Sequence, residues 1–273
     1  MNRLTYILHG SSTHWTRALQ SMRHYVPERA LRKYLTARKA KFVDPESDRR
    51  GDVLTVDDST RAAYETCMIA RELGHAITLF VNPSQVISGN DYWFSRFDAL
   101  VDGRTVRRCN FQGVAYQLDH KEELRTFRFA VRPQLLVATE AEAQWLLDEV
   151  EAVLGAGEAQ TGEHARSLSR DEFDQLCEAG VRIGNHGWDH QCISALNAEQ
   201  QRDSIIAAGD WLRSTSKQPV RDYAVPFGIE RLHPDARPAC SGTVYQVDSG
   251  LPPKAADPSS LFRLNLTPTL QET

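Results

Sequence analysis

Three short polar groups in this chain combine residue types and spacing that could do chemistry, and each follows an apolar run. Asp57-Asp58 follows Asp52-Val-Leu-Thr-Val56, His186-Gly-Trp-Asp-His190 follows Val181 to Gly184, and Pro226-Phe227-Gly228 follows Arg221 to Val225. Adjacent carboxylates at the end of an apolar strand repel each other and are costly to bury unless a cation or proton lies between them. The same pair would also suit a loop in which one carboxylate caps the next helix. His186 and His190 are four residues apart, so one helical turn after the strand would aim both imidazoles the same way. Two surface histidines would share that spacing. In combination, two imidazoles and one carboxylate form the facial ligand set of a catalytic divalent ion, with positions left for water and substrate. The spare carboxylate would then take a proton from water at the ion.

Elements that could position these groups are legible around them. Leu4 to Leu8 reads as a strand ending at His9-Gly10, and Pro27 to Lys41 reads as an amphipathic helix. Asp44 to Gly51 reads as a loop. Residues 52–56 predict a buried strand, followed by a helix capped by Ser59 or Thr60 and stopped by Gly74. Ala76 to Val81 predicts a second strand closed by Asn82-Pro83, and strand–helix–strand at this spacing implies a parallel sheet. Ser169-Arg-Asp-Glu172 is a capping box opening a helix that ends at Gly180. Val181 to Gly184 is the next strand, Asn197 caps a helix through Leu212, and Arg221 to Val225, Thr243 to Val247 and Phe262 to Leu266 are further strands. The implied class is α/β, a distorted (β/α) barrel whose C-terminal strand ends form the active face.

Residues 88–165 break the pattern. They hold an aromatic cluster (Tyr92, Trp93, Phe94, Phe97), and Thr126 to Arg132 alternates apolar and charged residues as a half-exposed strand would. Glu140 to Leu154 reads as a helix and Gly155 to Gly162 as a connection. The segment is taken as an insertion within a single domain, 1–273. Arg104, Arg107, Arg108, Arg125, Arg128 and Arg132 are expected on a solvated hairpin face, and His14, His24, His75, His120, His164 and His233 mostly on the surface.

Three motifs in order resemble those of the polysaccharide deacetylases with the NodB-homology domain, carbohydrate esterase family 4. Leu54-Thr-Val-Asp-Asp-Ser59 resembles the first motif (T-F-D-D-G/S), His186-Gly-Trp-Asp-His190 the second (H-[ST]-x-x-H), and Tyr223-Ala-Val-Pro-Phe-Gly228 the third (F-A-Y-P-[FY]-G). Glu72 to Val81 and Leu168 to Gly184 are similar to the family's intervening text. The resemblance covers most of the chain outside 88–165. It implies a deacetylase-type barrel in which Asp58, His186 and His190 hold a divalent metal, Asp57 is the general base, and Pro226, Phe227 and Gly228 shape the substrate groove. The implied ion is zinc first, with Co²⁺, Ni²⁺ and Fe²⁺ as alternatives, since such N/O ligand sets accept all four. The implied reaction is removal of an N-acetyl group from an amino-sugar substrate, a free sugar or a glycan. The family's C-terminal L-x-H is missing. Ile7-Leu8-His9 instead resembles the circularly permuted branch, which carries that histidine on its first strand, and this implies His9 as the general acid.

Departures from the pattern are Ser59 where Gly is usual, Gly187 where Ser or Thr is usual, and Ala224-Val225 where an Arg often precedes the third-motif proline. Arg263, within Leu261-Phe-Arg-Leu-Asn265, resembles a segment that supplies this Arg in related members, and Arg221 is its rival. Trp188 and Asp189 are placed to pack beside the metal and orient a ligand nitrogen.

Composition narrows the rest. With 32 basic and 36 acidic residues the formal charge is −4, and the pI is about 6.1. This argues against a nucleic-acid or anionic-lipid coat. No apolar run approaches the roughly 18 residues of a membrane span, and mean hydropathy is −0.45. The N-terminus does not read as a signal peptide, so a cytoplasmic location is expected. Five scattered cysteines without a CxxC pair read as free thiols. Two other functions fit the same sequence: an amidohydrolase acting on another small amide, and a catalytically silent sugar-binding member of the fold.

Overall fold

The computed structural model describes residues 4–12, 25–157, 159–228, 231–247 and 260–271. His14 and His24 lie outside them. The described strands are β1 (Thr5–Leu8), β2 (Ser11–Ser12), β3 (Val26–Pro27), β4 (Val53–Asp57), β5 (Thr78–Val81), β6 (Arg108–Phe111), β7 (Val114–Gln117), β8 (Arg182–Asn185), β9 (Tyr223–Ala224), β10 (Val244–Val247) and β11 (Ser260–Asn265). The chain forms two compact units, one from Met1–Asn90 with Ser167–Thr273 and the other from Asp91–Arg166.

The first unit is an α/β barrel. Seven strands close in the order β1-β11-β10-β9-β8-β5-β4, and their pairings are parallel. β4 has the continuous apolar run that a strand covered on both faces requires, and all five of its residues are buried. Parallel neighbours need a crossover, and helix Arg61–Glu72 supplies the one from β4 to β5. Its N-cap is Thr60, whose side chain accepts from the Ala63 N–H at 3.2 Å. The capping box at Ser169 and Glu172 opens helix Arg170–Glu178 as its sequence predicts. Helix Ala198–Ser216 begins at the Asn197 cap but runs past Leu212. Its stop is Lys217 in a left-handed conformation, where no glycine marks the end. The core includes Leu54, Val56, Leu79, Val81, Phe173, Leu176 and Ile183. His75 belongs to it as well, fully buried rather than on the surface. Its Nδ1 accepts from the Phe42 N–H and its Nε2 donates to the Leu35 carbonyl.

The second unit packs helices Trp93–Asp102, Lys121–Val137 and Glu140–Leu154 with the hairpin β6–β7. The hairpin turns through Gln112 and Gly113, both at positive φ, the geometry that matches strand twist. Residues 126–132 are helical, not a strand. Phe127, Val131 and Leu135 repeat every four residues and are buried, whereas Phe129 is 62% exposed. The alternation of Phe127, Phe129 and Val131 imitated a two-residue period because one of its three apolar positions faces solvent. Arg108 is exposed on hairpin strand β6 and Arg107 is exposed just before it, as expected, but the other arginines are not on the hairpin. Arg128 and Arg132 pair with Asp98, and Arg104 donates to the Val101 and Leu118 carbonyls. Phe97 joins Phe111, Phe127 and Val131 in this unit's core, and Tyr92 stacks on Phe94. Among the described residues no helix is long and apolar enough to cross a membrane.

Candidate metal centre

The polar groups all sit where barrel strands end. Asp57 is the last residue of β4 and Asp58 the next, His186 follows β8, and Pro226 to Gly228 lie just past β9. Asp58 Oδ1 lies 3.5 Å from His186 Nε2 and 3.0 Å from His190 Nε2. The three ligand atoms fall within 4.8 Å of one another, and all three residues are buried. An ion held at about 2.0–2.2 Å from each ligand needs spacings of this size. Two further observations test the fit. Asp58 Oδ1 is buried without a hydrogen-bond donor of acceptable geometry, although both imidazoles face it. His186 Nδ1 donates to the Ala224 carbonyl at 2.8 Å, and this leaves the Nε2 lone pair for an ion. The donor set therefore suits a divalent cation.

The two histidines do not share a helical turn. Residues 186–190 form an irregular loop in which Gly187 (φ 78°) and His190 (φ 61°) are left-handed. These reversals bring the rings to 4.9 Å. Asp58 (φ 72°) and Phe227 (φ 61°) are also left-handed, so three of the five described non-glycine residues at positive φ belong to this site. Backbone strain collects where the surrounding structure must impose a geometry. His186 is oriented by the Ala224 carbonyl rather than by Trp188 or Asp189. Trp188 is half-buried and held through its backbone, while the Asp189 carboxylate accepts from Gln191 Nε2 at 2.8 Å.

Asp57 meets Arg263 in a bidentate ion pair with distances of 2.5 and 2.7 Å. Arg263 is fully buried, and its guanidinium lies 5.4 Å from the Phe80 ring centre and 5.9 Å from that of Tyr245. Arg221 is exposed and distinct from this arrangement. Burial alone would raise the Asp57 carboxyl, but Arg263 with His186 holds it below the usual range. Burial opposes ionisation of Asp58 too, and His190 and His186 bring it well below its ordinary value. Burial would lower His186, yet Asp57 and Asp58 leave it raised. His9, at the end of β1, feels the charges of Asp58 and Asp57, and burial sets the net direction, which is down. The predicted site residues thus contact or electrostatically sense one another, or lie just past the same strand ends, Trp188 among them in the loop 186–190. Phe227 sets its ring 4.6 Å from that of His190. A Cβ at Gly228 would meet Val247 at 2.4 Å, so glycine is required beside the phenylalanine.

Sequence reading passed over Asn82, which it took as a strand end. Asn82 is fully buried, and its side chain donates to the carbonyls of His186 and Gly187 at 2.6 and 3.2 Å. The available signal in the sequence is the Asn82-Pro83 pair closing the apolar run Ala76 to Val81.

Residues 137–236 match the family model described as Polysaccharide deacetylase, a span that includes both histidines and the third motif but not Asp57-Asp58. Among solved structures, the chain is similar to the Streptococcus pyogenes deacetylase PplD in complex with acetate, with 12% identity, 97% of this chain and 92% of that chain covered, and a TM-score of 0.59. It is also similar to IcaB from Ammonifex degensii, with 13% identity, coverage of 100% and 97%, and a TM-score of 0.54. A third is the de-N-acetylase from Aggregatibacter actinomycetemcomitans, with 9% identity, coverage of 96% and 94%, and a TM-score of 0.51. No curated protein sequence matches significantly. At these identities the likeness is one of fold. The fold is the seven-stranded parallel barrel of the carbohydrate esterase family 4 deacetylases. Within it this chain carries a buried Asp-His-His candidate metal site.

Proposed function

We propose that the chain is a metal-dependent carbohydrate N-deacetylase of family 4, in its circularly permuted branch, acting on an N-acetylated amino sugar or a glycan containing one. The observation that carries this reading is the convergence of Asp58 Oδ1, His186 Nε2 and His190 Nε2 at the C-terminal ends of a parallel barrel. Support for the branch is the position of β1, which lies between β4 and the last strand β11 and delivers His9 to the same end.

Asp58, His186 and His190 would hold the ion, with zinc the first candidate. When bound, a divalent ion supplies Lewis acidity, polarising the acetamide carbonyl and making water easier to deprotonate. Asp57 accepts the proton of the attacking water. Arg263 fixes both carboxylate oxygens and keeps the base ionised. An amide nitrogen leaves poorly unless protonated, and the proposed acid is His9, which must take up a proton against its lowered pKa before delivering it as the C–N bond breaks, giving acetate and the free amine. Pro226, Phe227 and Gly228 line one wall of the groove, and Trp188 contributes beside it.

Acetate release from a panel of N-acetylated sugars, nucleotide sugars and oligosaccharides tests the proposal. Release that stops with a chelator and returns with added Zn²⁺ or Co²⁺ is expected. Chelator-resistant release, or none from any member, overturns it.

A further inference from the structure

Two of the departures from the family pattern, Ser59 and Gly187, meet at one residue. Ser59 follows the ligand Asp58, and its hydroxyl accepts from the Asn82 N–H at 2.9 Å and donates to the Asn82 carbonyl at 3.4 Å. On its other side, the Asn82 side-chain amide donates to the carbonyls of His186 and Gly187. Ser84, two residues on, donates its N–H to the Trp188 carbonyl at 3.0 Å. The short segment after β5 therefore bonds to the loop bearing Asp58 and to the loop bearing both histidines. Gly187 is left-handed and has no side chain; Asn185 Oδ1 accepts its N–H at 2.8 Å and Ser204 Oγ accepts that of Trp188 at 2.9 Å, while the carbonyls of His186 and Gly187 are met by Asn82. Buried carbonyls without donors are costly, so the Asn82 amide sets where that loop can rest.

We infer that Asn82 is a positioning residue for the metal centre: through its side-chain amide and through Ser59 it fixes the spacing between Asp58 and the His186–His190 loop. It touches neither ion nor substrate. The inference rests on the metal reading above. Groups behind metal ligands typically govern affinity by about 10–100-fold, because a misplaced ligand must be reorganised at each binding event.

Co²⁺ titration with its visible spectrum tests this on the 273-residue chain, because the spectrum reports ligand number and geometry independently of turnover. In Asn82→Ala the Ser59 bonds to the backbone of residue 82 can persist, while the side-chain amide that donates to the His186 and Gly187 carbonyls is removed. Expected results are a loss of Co²⁺ affinity by about 10–100-fold and an altered spectrum. Asn82→Asp, which keeps the shape but loses the donors, should not rescue either. Ser59→Ala should weaken Co²⁺ binding in the same direction and combine non-additively with Asn82→Ala, and it carries the test should Asn82→Ala fail to fold. Leu212→Ala, a buried core truncation in helix Ala198–Ser216, controls for general destabilisation and should retain native affinity and spectrum. Native-like Co²⁺ affinity and spectrum in a folded Asn82→Ala or Ser59→Ala protein overturn the inference alone. A native chain that takes up no Co²⁺ overturns the metal reading and the inference with it.

Discussion

Asp57 and Asp58 are neighbours in sequence, both buried, and both held below the usual carboxylate range for different reasons. Asp58 faces the two imidazoles and Asp57 faces Arg263, and the proposed roles divide accordingly, Asp58 as ligand and Asp57 as ionised base. Asp57→Asn preserves the shape and removes the proton acceptor. That variant should keep its metal, measured by elemental analysis, while the acetate-release rate falls about 10²–10⁴-fold. Unchanged turnover would assign the base elsewhere. Arg263→Lys keeps the charge but loses the planar fork that holds both oxygens. Its kcat should fall at least about tenfold, roughly 1.4 kcal/mol of barrier, with metal content unchanged. Arg263→Ala is expected to cost about 3–5 kcal/mol of stability, because it strands a buried charge. The acidic pair and the HxxxH spacing were legible in the sequence because they are contiguous. Arg263 is preferred over Arg221 only through the resemblance of Leu261 to Asn265 to a family segment, because residue types alone do not say which arginine turns inward toward the acidic pair.

At the scale of elements, capping boxes and continuous apolar runs announced themselves, and left-handed backbone did not. Ser169 and Asn197 begin helices where their partners three residues on require it. The loop 186–190 reverses through positive φ at a histidine, a conformation that propensity gives to glycine or asparagine, so it was read as a helical turn. His75 shows the same limit for burial. A single polar residue after a helix stop reads as exposed, yet here its ring bonds to Phe42 and Leu35 and packs 5.5 Å from the Phe42 ring. Burial, with Lys41 and Arg38 nearby, lowers its pKa below the ordinary 6.5. The folded protein thus keeps His75 neutral at a pH where the unfolded chain has begun to protonate it. Its contribution is whole above about 6.5 and is lost as pH falls from there toward the lowered folded value. The unfolding free energy from urea titrations between pH 7.5 and 5 should fall with a slope from this group of up to about 1.4 kcal/mol per pH unit. His75→Gln should be less stable at pH 7.5 and show a flatter decline. An equally steep decline in that variant would place the pH sensitivity elsewhere.

For the whole molecule, the consequential feature is how the chain leaves and re-enters the barrel unit. Asn90 closes the first segment and Ser167 opens the second, and the Ser167 hydroxyl donates to the Asn90 carbonyl at 2.7 Å. The Leu168 N–H donates to the Ser59 carbonyl, and Thr60 bridges Ser167, so re-entry is fixed within the barrel unit itself. The intervening residues have their own core around Phe97, Phe127 and Leu147. The three candidate ligands, Asp57, Arg263, His9 and the Asn82 link belong to the barrel unit. Insertions tolerated at such points leave both termini close enough for a short turn to rejoin them. Replacing residues 91–166 by a turn of two to four Gly and Ser residues should therefore leave a folded protein. Its Co²⁺ affinity should lie within about threefold of native, under about 0.7 kcal/mol, because no ligand and no group supporting one is removed. Calorimetry and Co²⁺ titration of that shortened chain measure both properties. Failure to fold, or loss of the metal from a folded shortened chain, would show that the barrel unit and its centre depend on the inserted residues. If the metal is kept while acetate release is lost only on long glycans, the inserted unit contributes to substrate length and not to the reaction centre.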